Sequence, residues 1–137
     1  MSNISAAQVK ELREKTGLGL MDCKKALEDA EGNMDKAIEE LRKTSGVKAS
    51  KKAGRSAADG LIAIKNIEDQ IFMIEVNCET DFVARDDSFV EFTSQTLKSF
   101  SENPEKTLQE LMDDGIEDNR EKIVQKLGEN IVCLLYT

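Results

Sequence analysis

The feature that most limits the fold is an alternation of apolar and polar residues between positions 72 and 79. The apolar members are Phe72, Ile74, Val76 and Cys78, and the polar members are Glu75, Asn77 and Glu79. A period of two is typical of a β-strand with one buried face and one solvated face. Residues 61–65 are also strand-like, and a polar turn at residues 68–70 separates the two segments. The sequence therefore predicts an antiparallel hairpin.

The first 44 residues have a helical period instead and predict three short helices. Ser5 and Gln8 form a capping-box pattern, residues 16–19 interrupt the first helix, and Asn33 caps the third. The apolar residues at helical spacing are Val9, Leu12, Cys23, Ala26, Leu27, Ala30, Met34, Ala37, Ile38 and Leu41. These stripes predict a three-helix bundle over residues 1–44. We expect a domain this small mainly to bind a partner.

After the hairpin, the apolar spacing predicts further helices and one more strand. A helix that starts at Asp86 or Asp87 carries an apolar side long enough to cover the hairpin, and two shorter helices follow. Residues 131–136 are almost wholly apolar and predict a strand that must pair with the hairpin, because a bare apolar edge invites pairing. The predicted fold class is α+β, with residues 60–137 forming a small antiparallel three-stranded sheet packed with helices.

Residues 45–59 lie between the bundle and the sheet. They are small, polar and basic and have no apolar period, so the sequence predicts a solvated linker that is in part helical. The alternative is a nucleic-acid contact through the basic residues of this segment. No aromatic residues are interleaved among them to stack on bases, which weakens that alternative.

The composition limits the kinds of function. The chain has no histidine, which removes the commonest general base and the commonest zinc ligand, and no P-loop or GxSxG motif replaces it. We therefore expect neither an enzyme nor a cofactor or bound metal. The net charge of −8 argues against direct binding of nucleic acid by the whole chain. The charge is uneven, because residues 1–55 hold 12 of the 19 basic residues.

The cysteines and the apolar runs bear on the compartment. Cys23, Cys78 and Cys133 lack metal-type spacing and stand at apolar positions, so they are predicted to be reduced core thiols. No apolar run approaches the ~20 residues that span a bilayer, and no signal stretch opens the chain. These features predict a cytoplasmic protein without a membrane partner.

Residues 80–83, Thr-Asp-Phe-Val, follow the hairpin directly and are named the TDFV turn below. Phe82 stands beside the carboxylate of Asp81 at a point where the chain has just left the sheet. One interpretation is that the ring fills the core of the chain itself, as most aromatic rings do. The other is that the ring is presented to a partner.

Residues 18–21, named the contact loop below, place Leu18, Leu20 and Met21 around a glycine between the first two helices. One interpretation is that the leucines cover the end of the bundle. The other is an exposed apolar surface for a partner helix, for which the adaptable Met21 is well suited. The basic residues that would complement the charge of the partner are Lys10, Arg13 and Lys24.

Two long segments resemble the signatures of bacterial elongation factor Ts. Residues 9–27, VKELREKTGLGLMDCKKAL, are similar to the N-terminal signature of that family, and residues 75–84, EVNCETDFVA, to its second signature. Between them, residues 51–54, KKAG, and 57–60, AADG, resemble the linker pattern of the family. Two long motifs in the right order are far more specific than a short motif. The resemblance fades after Asn130.

The resemblance implies guanine-nucleotide exchange on elongation factor Tu, the GTPase that carries aminoacyl-tRNA to the ribosome. In the family, an N-terminal bundle like a ubiquitin-associated domain docks on the GTPase domain, and an Asp-Phe pair intrudes near the nucleotide and Mg²⁺ site. By motif, Asp81 and Phe82 would be the intruding residues, while Thr80 and Val83 would hold the turn. The docking face would contain Lys10, Arg13, Leu18, Leu20, Met21 and Lys24.

The chain differs from the family pattern in its contact loop and in its length. Leu18 and Leu20 stand where a smaller residue and a methionine are usual. The chain also stops where the family continues into a second core half, a coiled-coil protrusion and a C-terminal module, so we expect a C-terminally shortened or incomplete factor. Two functions stay open: an exchange factor in a one-to-one complex with elongation factor Tu, and a non-catalytic module that binds, recruits or competes for it. The TDFV turn favours the first, because a simple tether would not need it.

Overall fold

The structure, a computed structural model, describes residues 3–136 and is an α+β fold, as the sequence predicts. A three-stranded antiparallel sheet in the order β1-β2-β3 is packed with helices. The elements in chain order are α1 (Ala6–Thr16), α2 (Leu20–Asp29), α3 (Met34–Lys52), β1 (Asp59–Ile67), β2 (Gln70–Cys78), α4 (Asp81–Ala84), α5 (Asp87–Glu102), α6 (Leu108–Leu111), a π-helical turn (Met112–Ile116), α7 (Glu117–Leu127) and β3 (Val132–Tyr136).

Helices α1, α2 and α3 pack into the predicted bundle around their apolar stripes. Ser5 Oγ accepts a hydrogen bond from the N–H of Gln8 at 3.2 Å, and Gln8 Oε1 accepts one from the N–H of Ser5 at 2.9 Å. Asn33 Oδ1 accepts a hydrogen bond from the N–H of Lys36 at 3.0 Å. Both predicted caps are therefore confirmed. The buried apolar residues of the bundle are Val9, Leu12, Leu18, Cys23, Ala26, Leu27, Ala30, Ala37 and Leu41.

Strands β1 and β2 form the predicted hairpin, with Asp59 opposite Cys78 and Ile67 opposite Gln70. The side of β2 that the alternation assigns to the core is buried, and the opposite side is not. Gly60 near the start of β1 has a φ of 149°, and a Cβ there would lie 2.1 Å from the carbonyl oxygen of Val76. A side chain at position 60 would therefore push the two strands apart, and this explains the glycine in the AADG segment.

The last strand pairs antiparallel with β2, so the predicted pairing with the hairpin is confirmed over Val132–Tyr136, and Ile131 lies just before the strand. The pairing buries one side of β3, where Cys133 is 6% exposed. It leaves Val132, Leu134 and Tyr136 exposed on the other side of the sheet. Strand pairing alone thus hides only half of this apolar segment.

Helix α5 covers the hairpin as predicted. Asp86 Oδ1 accepts a hydrogen bond from the N–H of Ser88 at 2.8 Å and caps the helix, which begins at Asp87. The ring of Phe100 meets that of Phe72 edge to face, with 5.3 Å between the ring centroids. Such contacts between aromatic rings stabilise the core beyond the area they bury.

Helix α3 corrects the predicted linker at residues 45–59. It continues to Lys52, because Ser45 and Ala49 face α7 and are 1% and 2% exposed. Ser45 Oγ also donates a hydrogen bond to Gln125 Oε1 on α7. Small residues four positions apart allow two helices to approach closely, but they give no apolar period, so the sequence pattern did not reveal this packing. Of the predicted linker at residues 45–59, only residues 53–58 lie outside helices and strands.

The three cysteines are free and buried, as predicted, and two of them give a testable pH dependence. Desolvation raises the pKa of Cys78 and of Cys133 to about 11. In the unfolded chain a thiol has a pKa of about 8.5. The raised pKa values of Cys78 and Cys133 therefore contribute fully to the free energy of unfolding below that pH, and this contribution is lost as the pH rises toward 11. We expect the folded protein at pH 8 to resist a thiol reagent and to react at all three cysteines when denatured. Rapid labelling of the native chain would contradict this burial.

Candidate functional site

The TDFV turn forms a single helical turn, α4, immediately after β2. Thr80 is its N-cap, and Thr80 Oγ1 accepts a hydrogen bond from the N–H of Val83 at 3.4 Å. Val83 is 8% exposed and packs with Ala84 against the core of the sheet. The first and last residues of the turn therefore fix its backbone.

Phe82 lies outside that core. Phe82 is 83% exposed, whereas Phe89, seven positions later, is fully buried. Asp81 is also exposed, and its nearest cation, Arg85, is 3.9 Å away on the surface. An ion pair of this kind contributes little. The turn thus presents a ring and a carboxylate side by side to solvent, and the interpretation in which Phe82 fills the core of the chain is wrong.

Glu129 holds the start of the TDFV turn. One carboxylate oxygen accepts hydrogen bonds from the backbone N–H groups of Glu79 at 3.1 Å and Thr80 at 3.0 Å. The other accepts one from Thr80 Oγ1 at 2.7 Å. The sequence does not indicate this role of Glu129, because the residue follows a helix-ending glycine and shows no pattern that links it to a turn 49 residues earlier.

The segment around Glu129 is itself anchored. The N–H of Asn130 donates a hydrogen bond to Glu79 Oε1 at 2.8 Å. The side-chain amide of Asn130, which is 3% exposed, donates to the carbonyl oxygens of Arg55 at 2.9 Å and Ala53 at 3.4 Å. The residues after α7 therefore connect the TDFV turn to the segment that follows α3.

Leu18 corrects the prediction that the whole contact loop faces a partner. It is 2% exposed and packs in the core of the bundle, so its assignment to the docking face is wrong. Gly17 has a φ of 70° and ends α1, which turns the chain so that Leu18 points back between the helices. For Leu18, the interpretation that it covers the end of the bundle is the correct one.

The other two apolar residues of the contact loop are exposed at the start of α2. Leu20 is 54% exposed and Met21 is 73% exposed. The basic side chains predicted to flank them, Lys10, Arg13 and Lys24, are also exposed. Two of these make only surface ion pairs, Lys10 with Glu14 and Lys24 with Glu28, at 3.9 Å each. They remain available to a partner because such pairs are weak.

A polar network connects the contact loop to the rest of the molecule. Asp22 is the residue directly after Met21, and its Oδ2 accepts a hydrogen bond from Gln125 Nε2 on α7 at 3.2 Å. Lys48 Nζ on α3 lies 3.6 Å from Asp22 Oδ1. Because α3 also packs along α7, the bundle is held against the helices of the second part. The contact loop and the TDFV turn are therefore presented by one connected body.

Comparison with known proteins shows which family has a sequence similar to the one that forms the TDFV turn and the contact loop. The sequence model of the family described as Elongation factor TS matches residues 79–134, which include the TDFV turn and Glu129. Over 133 residues the chain is 56% identical to "Elongation factor Ts" from Marinobacter nauticus, an alignment that covers 96% of the chain and 46% of the relative. Over nearly its whole length the chain is similar to elongation factor Ts.

Other members of the family match over the same extent. "Elongation factor Ts" from Hahella chejuensis is 53% identical over 133 residues, covering 96% of the chain and 46% of that protein. "Elongation factor Ts" from Idiomarina loihiensis is 51% identical, covering 93% of the chain and 46% of that protein. The chain thus spans about half the length of the curated relatives it matches. Within residues 3–136, every helix is too short or too polar to span a bilayer.

Proposed function

We propose that the chain is a guanine-nucleotide exchange factor for elongation factor Tu and acts in translation elongation in the cytoplasm. The observation that carries this proposal is Phe82, which is 83% exposed on a turn that hydrogen bonds hold in place. The same turn lies in the segment that matches the family. An exposed aromatic ring on a fixed backbone is well suited to enter a partner, because little ordering is needed on binding.

The TDFV turn would act on the site that holds GDP. A GTPase binds the phosphates of GDP through backbone amides and Mg²⁺. We propose that Phe82 inserts into the packing that supports this site and that Asp81 brings its carboxylate near the metal, so that Mg²⁺ is displaced and GDP leaves. Thr80 and Val83 hold the turn. The effect applies to GDP and GTP alike, so the cellular excess of GTP sets the direction.

The free energy for this change comes from the protein–protein interface. Linkage requires that a factor which weakens GDP binding is itself bound less tightly by the GDP form, by the same amount. A contact away from the nucleotide keeps the two proteins together through this change. Leu20 and Met21 would provide it, with surrounding positive charge to attract the partner. The basic residues in this role are Lys10, Arg13 and Lys24.

We propose a one-to-one complex formed by the bundle and the TDFV turn. The chain spans about half the length of its relatives, so its contact area would be smaller and its dissociation faster than for a longer family member. Fast dissociation is compatible with exchange, because the factor must leave once GTP has bound. Light scattering of the mixture measures the stoichiometry, and a stable two-to-two assembly would contradict this part of the proposal.

The second candidate is a non-catalytic module that binds elongation factor Tu to recruit it or to compete for it. The contact loop favours this function as much as it favours exchange, since docking alone uses the exposed Leu20 and Met21. The two candidates separate when affinity and the rate of GDP release are measured on one preparation. Binding without faster release would support the module, whereas both together would support exchange.

The basic end of α3 provides a control for charge. Lys51 and Lys52 lie in the last turn of that helix and make no ion pair among the described residues. We expect the double substitution Lys51→Gln and Lys52→Gln to change the affinity for elongation factor Tu by less than about twofold at physiological salt, because exposed charges are screened there. A loss of tenfold or more by calorimetry would place this segment in the interface.

A further inference from the structure

We propose that Glu129 is a positioning residue for exchange, one that acts through the TDFV turn without touching the partner. This inference rests on the proposed function, because it assigns Glu129 a role in the action of Phe82. No pattern in the sequence indicates a functional role for Glu129.

The hydrogen bonds of Glu129 meet a specific need of the backbone. The last residue of β2 that pairs with β1 is Cys78, so the N–H groups of Glu79 and Thr80 lie just beyond the ladder. Glu129 accepts from both, at 3.1 and 3.0 Å. Without these two bonds, the chain between the sheet and α4 would have no protein acceptor for its N–H groups among the described residues.

Glu129 also orients the hydroxyl that caps α4. A hydroxyl has one donor and can accept at the same time. Thr80 Oγ1 donates to Glu129 Oε2 at 2.7 Å, which directs its lone pairs so that it accepts from the N–H of Val83 at 3.4 Å. The carboxylate thus fixes both the entry to the turn and its cap, while Phe82 on the same turn stays 83% exposed.

The requirement for a carboxylate can be tested because Glu129 is the acceptor in all three of these hydrogen bonds. A carboxylate is an acceptor at both oxygens, whereas a glutamine of the same shape has one acceptor oxygen and one donor NH₂ group. In a Glu129→Gln variant, the amide oxygen can still accept from the two N–H groups, but as a neutral and therefore weaker acceptor. Its NH₂ group then faces Thr80 Oγ1, so the Thr80 hydroxyl must accept from this side chain and loses the carboxylate to which it donated. The turn would then be fixed less well, and Phe82 would approach the partner in many orientations.

A positioning role of Glu129 and a purely structural role predict different effects on the kinetics of GDP release. A loosened turn lowers the rate of GDP release within the complex, because positioning of the ring contributes in that step. A loosened turn leaves the concentration of the chain that gives half the maximal release rate almost unchanged. The contact loop at residues 18–21, which is proposed to dock on the partner, is not altered by a change at Glu129. A general loss of stability would instead lower the fraction of folded protein and would not single out the maximal rate.

The experiment compares the wild-type chain, Glu129→Gln and the matched control Glu105→Gln. Glu105 is exposed and makes no hydrogen bond or ion pair among the described residues, and its substitution removes the same charge. The rate at which elongation factor Tu releases fluorescent GDP is measured against the concentration of each chain, below the onset of thermal unfolding. Hydrogen exchange at residues 79–83 of the free chains is measured alongside.

For Glu129→Gln we expect about a tenfold lower maximal rate, which corresponds to about 1.4 kcal/mol, with a half-saturating concentration within about twofold of wild type. The amides of residues 79–83 should exchange faster, and Glu105→Gln should behave as wild type. In a Phe82→Ala background, Glu129→Gln should cause no further loss, because both act through the same ring.

Three results would overturn the inference. If Glu129→Gln keeps the wild-type maximal rate while the wild-type chain accelerates release, Glu129 is not a positioning residue and the proposed function stands. If its amides 79–83 exchange as slowly as in wild type, the carboxylate does not fix the turn. If the wild-type chain leaves the release rate unchanged, the proposed function fails and this inference fails with it.

Discussion

Replacing Phe82 by alanine is expected to abolish most of the catalysed release of GDP and to leave the fold intact. Phe82 is 83% exposed, so its ring contributes little to the core of the chain, and its proposed role is to enter the partner. The backbone of the turn is held by Thr80 and Glu129, neither of which the substitution touches. Stopped-flow release of fluorescent GDP measures the first effect and thermal unfolding the second.

Phe89→Ala provides the matched control. Its ring is fully buried under the sheet, so its removal should cost about 3–5 kcal/mol of unfolding free energy. Phe82→Ala should cost only a small fraction of that. If Phe82→Ala destabilises the chain as strongly as Phe89→Ala, the ring serves the core. If it is stable and still accelerates release at the wild-type rate, the TDFV turn is not the group that acts on the nucleotide.

The second large effect is expected in the contact loop. Met21→Asp should weaken association with elongation factor Tu by about 1 kcal/mol or more, because a carboxylate that loses water replaces an apolar contact. Met21 is 73% exposed, so the variant should fold normally. Isothermal calorimetry measures the affinity, and circular dichroism checks the fold. Unchanged affinity in a correctly folded variant would remove Met21 from the docking face.

Leu18 is the internal comparison for this prediction. It lies three positions away but is 2% exposed, so Leu18→Ala should cost about 2–5 kcal/mol of unfolding free energy through a cavity in the bundle. Its effect on binding should follow from partial unfolding alone and should disappear when the folded fraction is taken into account. A loss of affinity that persists in fully folded protein would mean that Leu18 contacts the partner after all.

The sequence predicts those parts of the fold whose signals are local. The alternation over residues 72–79 identifies the buried face of β2, and the side chains of Ser5, Asn33 and Asp86 mark helix starts where the structure has them. In each case one period or one capping pair is enough, because the physical cause acts within a few residues. The pairing of residues 131–136 also follows, from the need to cover an apolar edge.

The parts that the sequence does not predict depend on contacts between distant residues. Ser45 and Ala49 are small residues, and the sequence pattern predicts that they are solvated. In the structure they are buried because α7 packs against them. Leu18 and Met21 are both apolar, and the left-handed turn at Gly17 places Leu18 inward and leaves Met21 outward. Glu129 is an ordinary surface carboxylate by sequence, and its function depends on the position of Thr80 in space.

The exposure of Phe82 also could not be decided from the sequence by itself. An aromatic residue after a strand is more often buried than exposed. In this chain Val83 and Ala84 occupy the adjoining core, and the capped turn leaves Phe82 on the outside. The resemblance to elongation factor Ts favours exposure, and the structure gives the physical reason for it.

The most direct test of the proposed function measures whether the chain speeds the release of fluorescent GDP from elongation factor Tu. The complex is mixed with excess unlabelled GDP in a stopped-flow instrument, with increasing concentrations of the wild-type chain. We expect the release rate to rise with concentration and then to saturate, because the chain acts within a complex. A release rate that stays at its uncatalysed value, while calorimetry shows the two proteins bound, would contradict exchange and leave a binding module.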